Sequence, residues 1–125
     1  MEIIESMNRN YLGEFEELIL LAVAVMDGHA YGVALLRELS EKSGRQARLS
    51  QVHSALQRLE EKGMLKSTLG EPTSERGGKR KRLFTITALG QRTLQEIQQV
   101  RASFWDRLSS FSKISITGYQ STSHE

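Results

Sequence analysis

Apolar residues recur at three- and four-residue spacing between Leu49 and Gly63, which predicts an amphipathic helix. The apolar side of this helix consists of Val52, Ala55, Leu56 and Leu59. The opposite side carries side chains that can hydrogen-bond to bases or phosphates, namely Ser50, Ser54, Gln57 and Arg58. We predict that Ser50 caps the N-terminus of the helix and that Gly63 supplies the left-handed residue that ends it.

Two more helices are predicted ahead of this one. A broad apolar face over about residues 13–26 predicts a helix that is buried on most sides, and Asp27-Gly28 ends it. A second amphipathic pattern covers about residues 31–43, where Gly44 closes the helix. Because a short polar linker joins this helix to the one beginning near Ser50, the pair has the helix-turn-helix pattern.

A two-stranded hairpin is predicted after the helix pair. Residues 64–69 form its first strand, and residues 83–86, which are rich in apolar and β-branched side chains, form the return strand. The single proline, Pro72, falls in the loop between them, where no ladder hydrogen bond is lost. A helix-turn-helix followed by such a hairpin is a winged helix.

A long helix over about residues 88–111 is predicted next, with Thr87 as its cap. Its apolar residues follow a heptad-like stripe made of Leu94, Ile97, Phe104, Leu108 and Phe111. Such a helix is longer than the small winged domain can cover, so a second copy of the chain is the simplest candidate to bury the stripe. Trp105 is interpreted as packing at that seam, the alternative being an apolar pocket between protomers that takes a flat ligand.

The predicted organisation has four parts. Residues 1–12 form an N-terminal arm, residues 13–87 a winged-helix DNA-binding domain, residues 88–112 a dimerisation helix and residues 113–125 a flexible tail. The fold class is therefore mainly α with a small β-hairpin (α+β), a winged helix-turn-helix followed by a long C-terminal dimerisation helix.

The composition of the chain excludes several classes of site and of function. The chain has 125 residues, a net charge of +2 and no cysteine, so disulfides and thiolate metal sites are excluded. Its apolar stretches are too short to span a membrane and the N-terminus lacks the features of a secretory signal, so we expect a cytoplasmic protein without membrane contact. The histidines are scattered and no nucleotide-binding glycine motif occurs, so neither an enzyme nor a cofactor is predicted. Glu16 and Glu17 are interpreted as carboxylates on a helix surface.

Basic residues are concentrated at the hairpin. They surround Gly77 and Gly78 and comprise Arg76, Lys79, Arg80, Lys81 and Arg82. Like charges packed this closely repel one another unless a polyanion such as DNA neutralises them. A solvated hairpin tip is the alternative, but the position directly after a helix-turn-helix favours DNA contact by the hairpin. The residues assigned to that contact are Arg76, Lys79, Arg80 and Lys81.

The helix beginning near Ser50 is the second candidate for DNA contact. The residues assigned to it are Ser50, Gln51, His53, Ser54, Gln57 and Arg58. The first half of the helix has no acid, and Glu60 and Glu61 occur only near its end, which suits entry of the N-terminal half into a negatively charged groove. An ordinary solvent-facing side is the alternative, with Arg58 paired to Glu61. His53 flanks the apolar side and either touches DNA or packs beside the hairpin.

Three segments together resemble the PadR family of transcriptional regulators: LGEFEELILLAVAVMDGHAYGVALLRELSEKSG, LSQVHSALQRLEEKGML and GEPTSERGGKRKRLFTITALG. The resemblance covers about residues 12–90 and is closest to the short subfamily with a single C-terminal helix. It implies a homodimer built by the first and last helices. The residues thereby assigned to the dimer interface are Phe15, Leu18, Leu94, Ile97, Phe104, Trp105, Leu108 and Phe111. Many family members have tyrosine where this chain has His53.

The expected function is therefore that of a repressor. Its expected partners are double-stranded DNA, a second copy of the chain and a small-molecule effector of unknown identity, since effectors vary widely across the family. The expected target is a palindromic operator whose half-sites lie about one helical turn, ~34 Å, or a multiple of it apart. The competing interpretation is a winged helix that binds an acidic protein through its basic hairpin.

Overall fold

The computed structural model of the chain describes residues 11–72 and 80–111, with side chains as far as residue 108. These ranges form, in chain order, α1 (Glu14–Val25), α2 (Gly32–Ser43), α3 (Leu49–Glu61), β1 (Leu65–Pro72), β2 (Arg80–Ile86) and α4 (Ala88–Phe111). Helices joined by one hairpin and followed by a long last helix confirm the predicted fold class. The chain divides into two compact units, the first ending at Leu94 and the second beginning at Gln95.

The apolar side of α3 lies at the centre of the first unit. This helix contacts α1, α2 and β1. Its four predicted apolar positions are all buried, at 1% exposure or less: Val52, Ala55, Leu56 and Leu59. The same core contains Ile19, Leu20, Val23, Leu35, Leu39 and Met64. The predicted apolar side of α3 is therefore confirmed, and its burial leaves the opposite side in solvent.

The helix α1 departs from its predicted pattern in two ways. Leu21 and Val25 fall within the stretch predicted to be buried on most sides, yet they are 42% and 74% exposed. Glu16 and Glu17, interpreted from the sequence as surface carboxylates, are buried at 7% and 9% exposure. Glu16 is buried because it lies one turn before the buried Ile19 and therefore shares the core side of the helix.

The N-terminus of α3 also differs from the prediction, whereas its C-terminus does not. The helix begins at Leu49 with Arg48 as the cap residue, so the predicted cap at Ser50 is wrong. The extended backbone of Arg48 donates its N–H to Gln51 Oε1 at 2.8 Å, which is the returning hydrogen bond of a capping box. Gly63 has a φ of +79°, as predicted for the residue that ends the helix.

The hairpin strands are longer than predicted. β1 and β2 pair antiparallel, with Leu69 opposite Arg82. Pro72 is the last residue of β1 rather than part of the loop, and a register shift before its pairing with Arg80 accommodates it. As a consequence Arg80, Lys81 and Arg82 belong to strand β2 and not to the tip of the hairpin.

Two hydrogen bonds attach the hairpin and the start of α4 to the rest of the first unit, and a third caps α4. The Phe84 N–H donates to the Ala30 carbonyl at 2.9 Å, which joins β2 to the connection between α1 and α2. The Thr87 hydroxyl donates to the Gly63 carbonyl at 2.7 Å and accepts from the Gly90 N–H at 3.1 Å. The predicted cap of the last helix is thus confirmed, and it fixes the beginning of α4 beside the end of α3.

Replacing Leu56 with alanine should lower the free energy of unfolding by roughly 2–5 kcal/mol, because a cavity would remain in the core. Chemical denaturation followed by circular dichroism measures this change. Gln57→Ala is the control, since this neighbouring side chain is exposed and its removal should change stability by no more than about 0.5 kcal/mol. Equal losses for the two substitutions would contradict the orientation of α3.

Candidate nucleic-acid interface

The solvent side of α3 carries all the helix residues that the sequence assigns to DNA contact. These exposed residues are Ser50, Gln51, His53, Ser54, Gln57 and Arg58. The Gln57 amide donates to Glu61 Oε2 at 3.4 Å, so the acidic part of this side lies at the C-terminal end of the helix. The N-terminal half therefore presents hydrogen-bonding side chains without a carboxylate.

An open cleft of about 550 Å³ lies between α3, the beginning of α2 and the hairpin. Side chains of α3 and of β2 line it together: His53, Gln57, Arg80, Lys81 and Arg82. The structure thus brings the basic residues of β2 to the same surface as part of the polar side of α3. Arg76 and Lys79, also assigned to DNA contact from the sequence, lie outside the described residues.

A second cleft, of about 460 Å³, lies on the other flank of α3. Its lining includes the remaining helix residues assigned to DNA contact, which are Ser50, Gln51, Ser54 and Arg58. Phe15 and Arg45 also line it, and the Arg45 guanidinium lies 5.7 Å from the centre of the Phe15 ring. The polar side of α3 is therefore open along both flanks, as an element that enters a groove of DNA must be.

Two basic side chains of β2 are fixed by neighbours outside their own strand. Arg80 Nε donates to the Gly70 carbonyl at 2.7 Å. The Lys81 ammonium lies 4.2 Å from the centre of the Tyr31 ring, within the range of a cation–π interaction. Because a guanidinium and an ammonium each have several N–H donors, both groups retain donors that can reach a phosphate.

A chain of hydrogen bonds joins α3 to both strands of the hairpin. Arg82 donates to Ser67 Oγ at 3.1 Å, and the Ser67 hydroxyl donates to Glu60 Oε2 at 2.8 Å. The carboxylate is thus connected through one hydroxyl to a guanidinium of the opposite strand. This chain links the hairpin to α3 at the edge of the larger cleft.

The His53 ring packs against the first turn of α2. A Cβ atom at Gly32 would lie 2.5 Å from His53 Nε2, so the ring occupies the space that a side chain at position 32 would fill. The same ring lines the larger cleft beside β2, and the residue is exposed. His53 therefore lies next to the hairpin, and DNA contact by its outer edge stays a prediction.

The Arg58 side chain is tied to α1. Its Nε donates to Glu16 Oε2 at 2.5 Å, and Lys62 Nζ donates to Glu16 Oε1 at 2.8 Å and to the Tyr11 carbonyl at 2.8 Å. The partner of Arg58 is therefore Glu16 and not Glu61, the alternative considered from the sequence. Burial raises the pKa of the Glu16 carboxyl, but Lys62 and Arg58 lower it by more, so its pKa lies below the usual value.

The residues assigned to a dimer interface differ in exposure. Four of them are half-buried within the chain: Phe15, Leu18, Leu94 and Ile97. Three on α4 are exposed, with Phe104 at 60%, Trp105 at 58% and Leu108 at 42%. The side chain of Phe111 lies outside the described residues. The later turns of α4 thus present an apolar stripe to solvent, which is a typical feature of an interaction surface.

Comparison with known proteins identifies the family. The model of the family described as "Transcriptional regulator PadR-like family" matches residues 20–96, which is more than half of the chain. The chain belongs to the PadR-like family. The matched residues include α2, α3, both strands and the start of α4. No curated protein sequence matches the chain.

Solved structures of PadR-like regulators share the fold of this family member. A PadR-like transcription factor from Bacteroides fragilis has a TM-score of 0.66 and 18% identity, over 89% of this chain and 99% of that one. A regulator from Clostridium difficile R20291 has a TM-score of 0.61 and 23% identity, over 78% and 96% of the two chains. Bacillus subtilis PadR in complex with operator DNA has a TM-score of 0.57 and 18% identity, over 68% of this chain and 46% of its own.

Two other kinds of feature do not occur in the residues that the structure describes. In residues 11–72 and 80–108, no group of His, Asp and Glu side chains could hold a metal ion. Over the same part of the chain, no helix is long and apolar enough to cross a membrane.

Sequence reasoning missed two residues that shape this interface in the PadR-like chain. Glu16 was taken for a surface carboxylate, although its spacing from Ile19 and Val23 places it on the core side of α1 and was a usable signal. Tyr31 was not singled out, because its contact with Lys81 joins residues far apart in the chain. Local periodicity carries no information about such a contact.

Replacing Glu16 with glutamine should lower the free energy of unfolding at neutral pH by about 1–3 kcal/mol, because two cations lose their charged acceptor. The folded-state pKa lies below the usual value of 4.5, so this stabilisation is complete above that value and is lost as the pH falls through the folded-state pKa. Urea denaturation from neutral to strongly acidic pH should show the advantage of the wild type shrinking.

Glu14→Gln is the control for this measurement. Glu14 pairs with Arg45 at the surface and its side chain is 63% exposed, so its substitution should change stability by at most about 1 kcal/mol. A wild-type advantage over Glu16→Gln that stays constant through the acid range would contradict the charged pairing.

Proposed function

We propose that this PadR-like chain is a transcriptional repressor that binds a palindromic operator as a homodimer. The observation that carries the proposal is the shared cleft, in which side chains of α3 and the cations of β2 line one open surface. The complex of Bacillus subtilis PadR with operator DNA supports DNA as the partner. Such a regulator works in the cytoplasm and requires neither a cofactor nor catalysis.

The proposal gives α3 and the hairpin different tasks. α3 enters the major groove with its N-terminus leading, so that Ser50 and Ser54, and Gln57 about one turn further along, reach base edges. Gln57 is the best candidate for reading sequence, because an amide pairs with adenine through two hydrogen bonds. The hairpin follows the DNA backbone, where Arg80 and Lys81 neutralise phosphates without reading bases.

A second copy of the chain is proposed to cover the exposed apolar residues. On α4 these are Val100, Phe104, Trp105 and Leu108, and on α1 they are Leu21 and Val25. Removing one large apolar side chain from water contributes roughly 1.5–3 kcal/mol, so a stripe of several favours association. A two-fold dimer presents two α3 helices, and their spacing then matches half-sites about one helical turn, ~34 Å, or a multiple of it apart.

Relief of repression is proposed to follow when a small molecule changes the spacing of the two α3 helices. The alternative function is a protein-binding winged helix, in which the basic hairpin meets an acidic partner. The cations of β2 suit either function. The neutral hydrogen-bonding side chains on the outer side of α3 favour DNA, because bases offer both donors and acceptors whereas carboxylates only accept.

Selection of binding sites from a pool of random duplexes tests the proposal. We expect enrichment of a palindromic sequence and binding that weakens steeply as salt is raised, since released counterions drive the association. Recovery of no preferred sequence, together with weak binding to every duplex, would contradict DNA recognition and favour the acidic partner.

Replacing Arg80 and Lys81 together with alanine should weaken binding to all duplexes and lower the slope of log K against log salt by roughly 0.9 for each phosphate that is no longer neutralised. Fluorescence anisotropy over a range of salt concentrations measures the slope. Gln57→Ala is the matched comparison, because removing a hydrogen bond to a base costs about 1–3 kcal/mol at one position while the slope is retained. An unchanged slope in the hairpin variant would exclude phosphate contact by these residues.

Replacing Phe104 and Leu108 together with glutamate should convert the dimer to a monomer, since charges would enter an apolar interface. Analytical ultracentrifugation measures the mass, and the monomer should bind the full operator more weakly. Gln98→Glu adds a charge at an exposed polar position of the same helix and should leave the dimer intact. A wild-type chain that sediments as a monomer at every concentration would contradict the proposed interface.

A further inference from the structure

We propose that Glu16 is a positioning residue for DNA recognition, because its carboxylate orients α3 relative to α1 by holding Arg58 and Lys62. The inference rests on the proposed binding of DNA through α3. It also revises the role of Arg58, which the sequence assigned to direct DNA contact. Arg58 and Lys62 act on DNA binding through Glu16, and neither needs to touch a phosphate.

Both oxygens of this carboxylate are used. Oε2 accepts from Arg58 Nε at 2.5 Å, and Oε1 accepts from Lys62 Nζ at 2.8 Å. Arg58 lies in α3, and Lys62 directly follows the helix, about one helical turn further along. Glu16 on α1 therefore contacts α3 and its C-terminal end at two positions along the helix axis. An attachment at two levels fixes the rotation of α3 about its axis as well as its position along that axis.

Apolar packing alone fixes this rotation less closely, because the hydrophobic effect has no direction. Side-chain tips lie about 5–6 Å from the helix axis, so a rotation of ~10° moves them by about 1 Å. A hydrogen bond to a base edge tolerates a change of only a few tenths of an ångström in its donor–acceptor distance. The ion pairs on one flank of α3 therefore control the geometry of its outer side.

Burial distinguishes Glu16 from the other ion-paired carboxylate of α1. The Glu16 side chain is 9% exposed, whereas Glu14, which pairs with Arg45, is 63% exposed. Because a partly buried ion pair is screened by water less than a surface pair, the ion pairs of Glu16 are expected to be stronger than that of Glu14. The exposed pair exchanges readily with water and is not expected to orient a helix.

The same helix connects this attachment to the proposed dimer interface. Leu21 and Val25 lie on α1 beyond Glu16, and both are exposed on the single chain. A second copy that packs against Leu21 and Val25 would shift α1 as a rigid helix. Any resulting change in the position of α1 is then transmitted to α3 through the Glu16 carboxylate.

The test measures binding to the duplex recovered by selection, over a range of salt concentrations, for the wild type, Glu16→Gln, Arg58→Gln and the double variant. We expect each single variant to bind about tenfold more weakly with an unchanged salt slope. The double variant should bind no more weakly than Glu16→Gln, because loss of the Glu16 carboxylate already breaks the attachment to Arg58. By contrast, the slope of log K against log salt should fall in the variant in which Arg80 and Lys81 are both replaced with alanine.

Two results would overturn the inference. A slope lower by about 0.9 in Arg58→Gln would indicate a direct phosphate contact. If Glu16→Gln binds the duplex as tightly as the wild type or more tightly, Glu16 does not position α3. Its only effect on DNA binding is then that of its negative charge. Glu14→Gln is the matched control and should bind like the wild type.

Thermal melts followed by circular dichroism establish that each variant is folded at the assay temperature. If Glu16→Gln does not fold, Lys62→Gln takes its place, since the Lys62 side chain is 27% exposed and leaves the buried carboxylate one cation. Lys62→Gln with wild-type affinity would then overturn the inference. Failure of the wild type itself to bind any selected duplex would contradict the proposed function, so the two failures are distinguishable.

Discussion

Burial of the apolar side of α3 is the constraint on which the rest of the structure depends. Val52, Leu56 and Leu59 are at 1% exposure or less, between helices α1 and α2 and strand β1. A helix with one apolar side can bury only that side, so its polar side must face water. The positions of Ser50, Ser54 and Gln57 on the surface follow directly from this packing.

Backbone and side-chain hydrogen bonds hold the hairpin beside the helices. The Phe84 N–H bonds to the Ala30 carbonyl, and the Thr87 hydroxyl bonds to the Gly63 carbonyl at the end of α3. These contacts bring β2 alongside the larger cleft, although its cations repel one another. Contacts with the Gly70 carbonyl, the Tyr31 ring and, through Ser67, the Glu60 carboxylate offset part of this repulsion. Bound phosphates would offset more of it, which is the physical reason that DNA is the proposed partner.

The parts of the fold that depend on local pattern could be predicted from the sequence. The spacing of Leu56 and Leu59 placed the buried side of α3, and Gly63 marked its end, because helical periodicity and a left-handed glycine are properties of adjacent residues. The cap at Ser50 failed by two positions, since the helix begins at Leu49 and Arg48 is the cap residue, whose N–H donates to Gln51 Oε1.

Features that depend on distant residues could not be predicted in the same way. The strand extent was underestimated because a register shift tolerates Pro72, and such a shift depends on the opposite strand. The sequence predicted that side chains of α3 and of the hairpin contact the same DNA, but not which of them line one cleft. Their shared cleft depends on tertiary packing. The role of Glu16 was missed for a related reason, since its partners Arg58 and Lys62 are more than one helix away along the chain.

Backbone amide chemical shifts, recorded by NMR with and without the selected operator duplex, would locate the DNA-binding surface. We expect the largest changes together on the N-terminal half of α3 and on residues 80–82 of β2. Changes confined to one of these two segments, or centred on the exposed residues of α4, would contradict a single DNA-binding surface made by α3 and the hairpin.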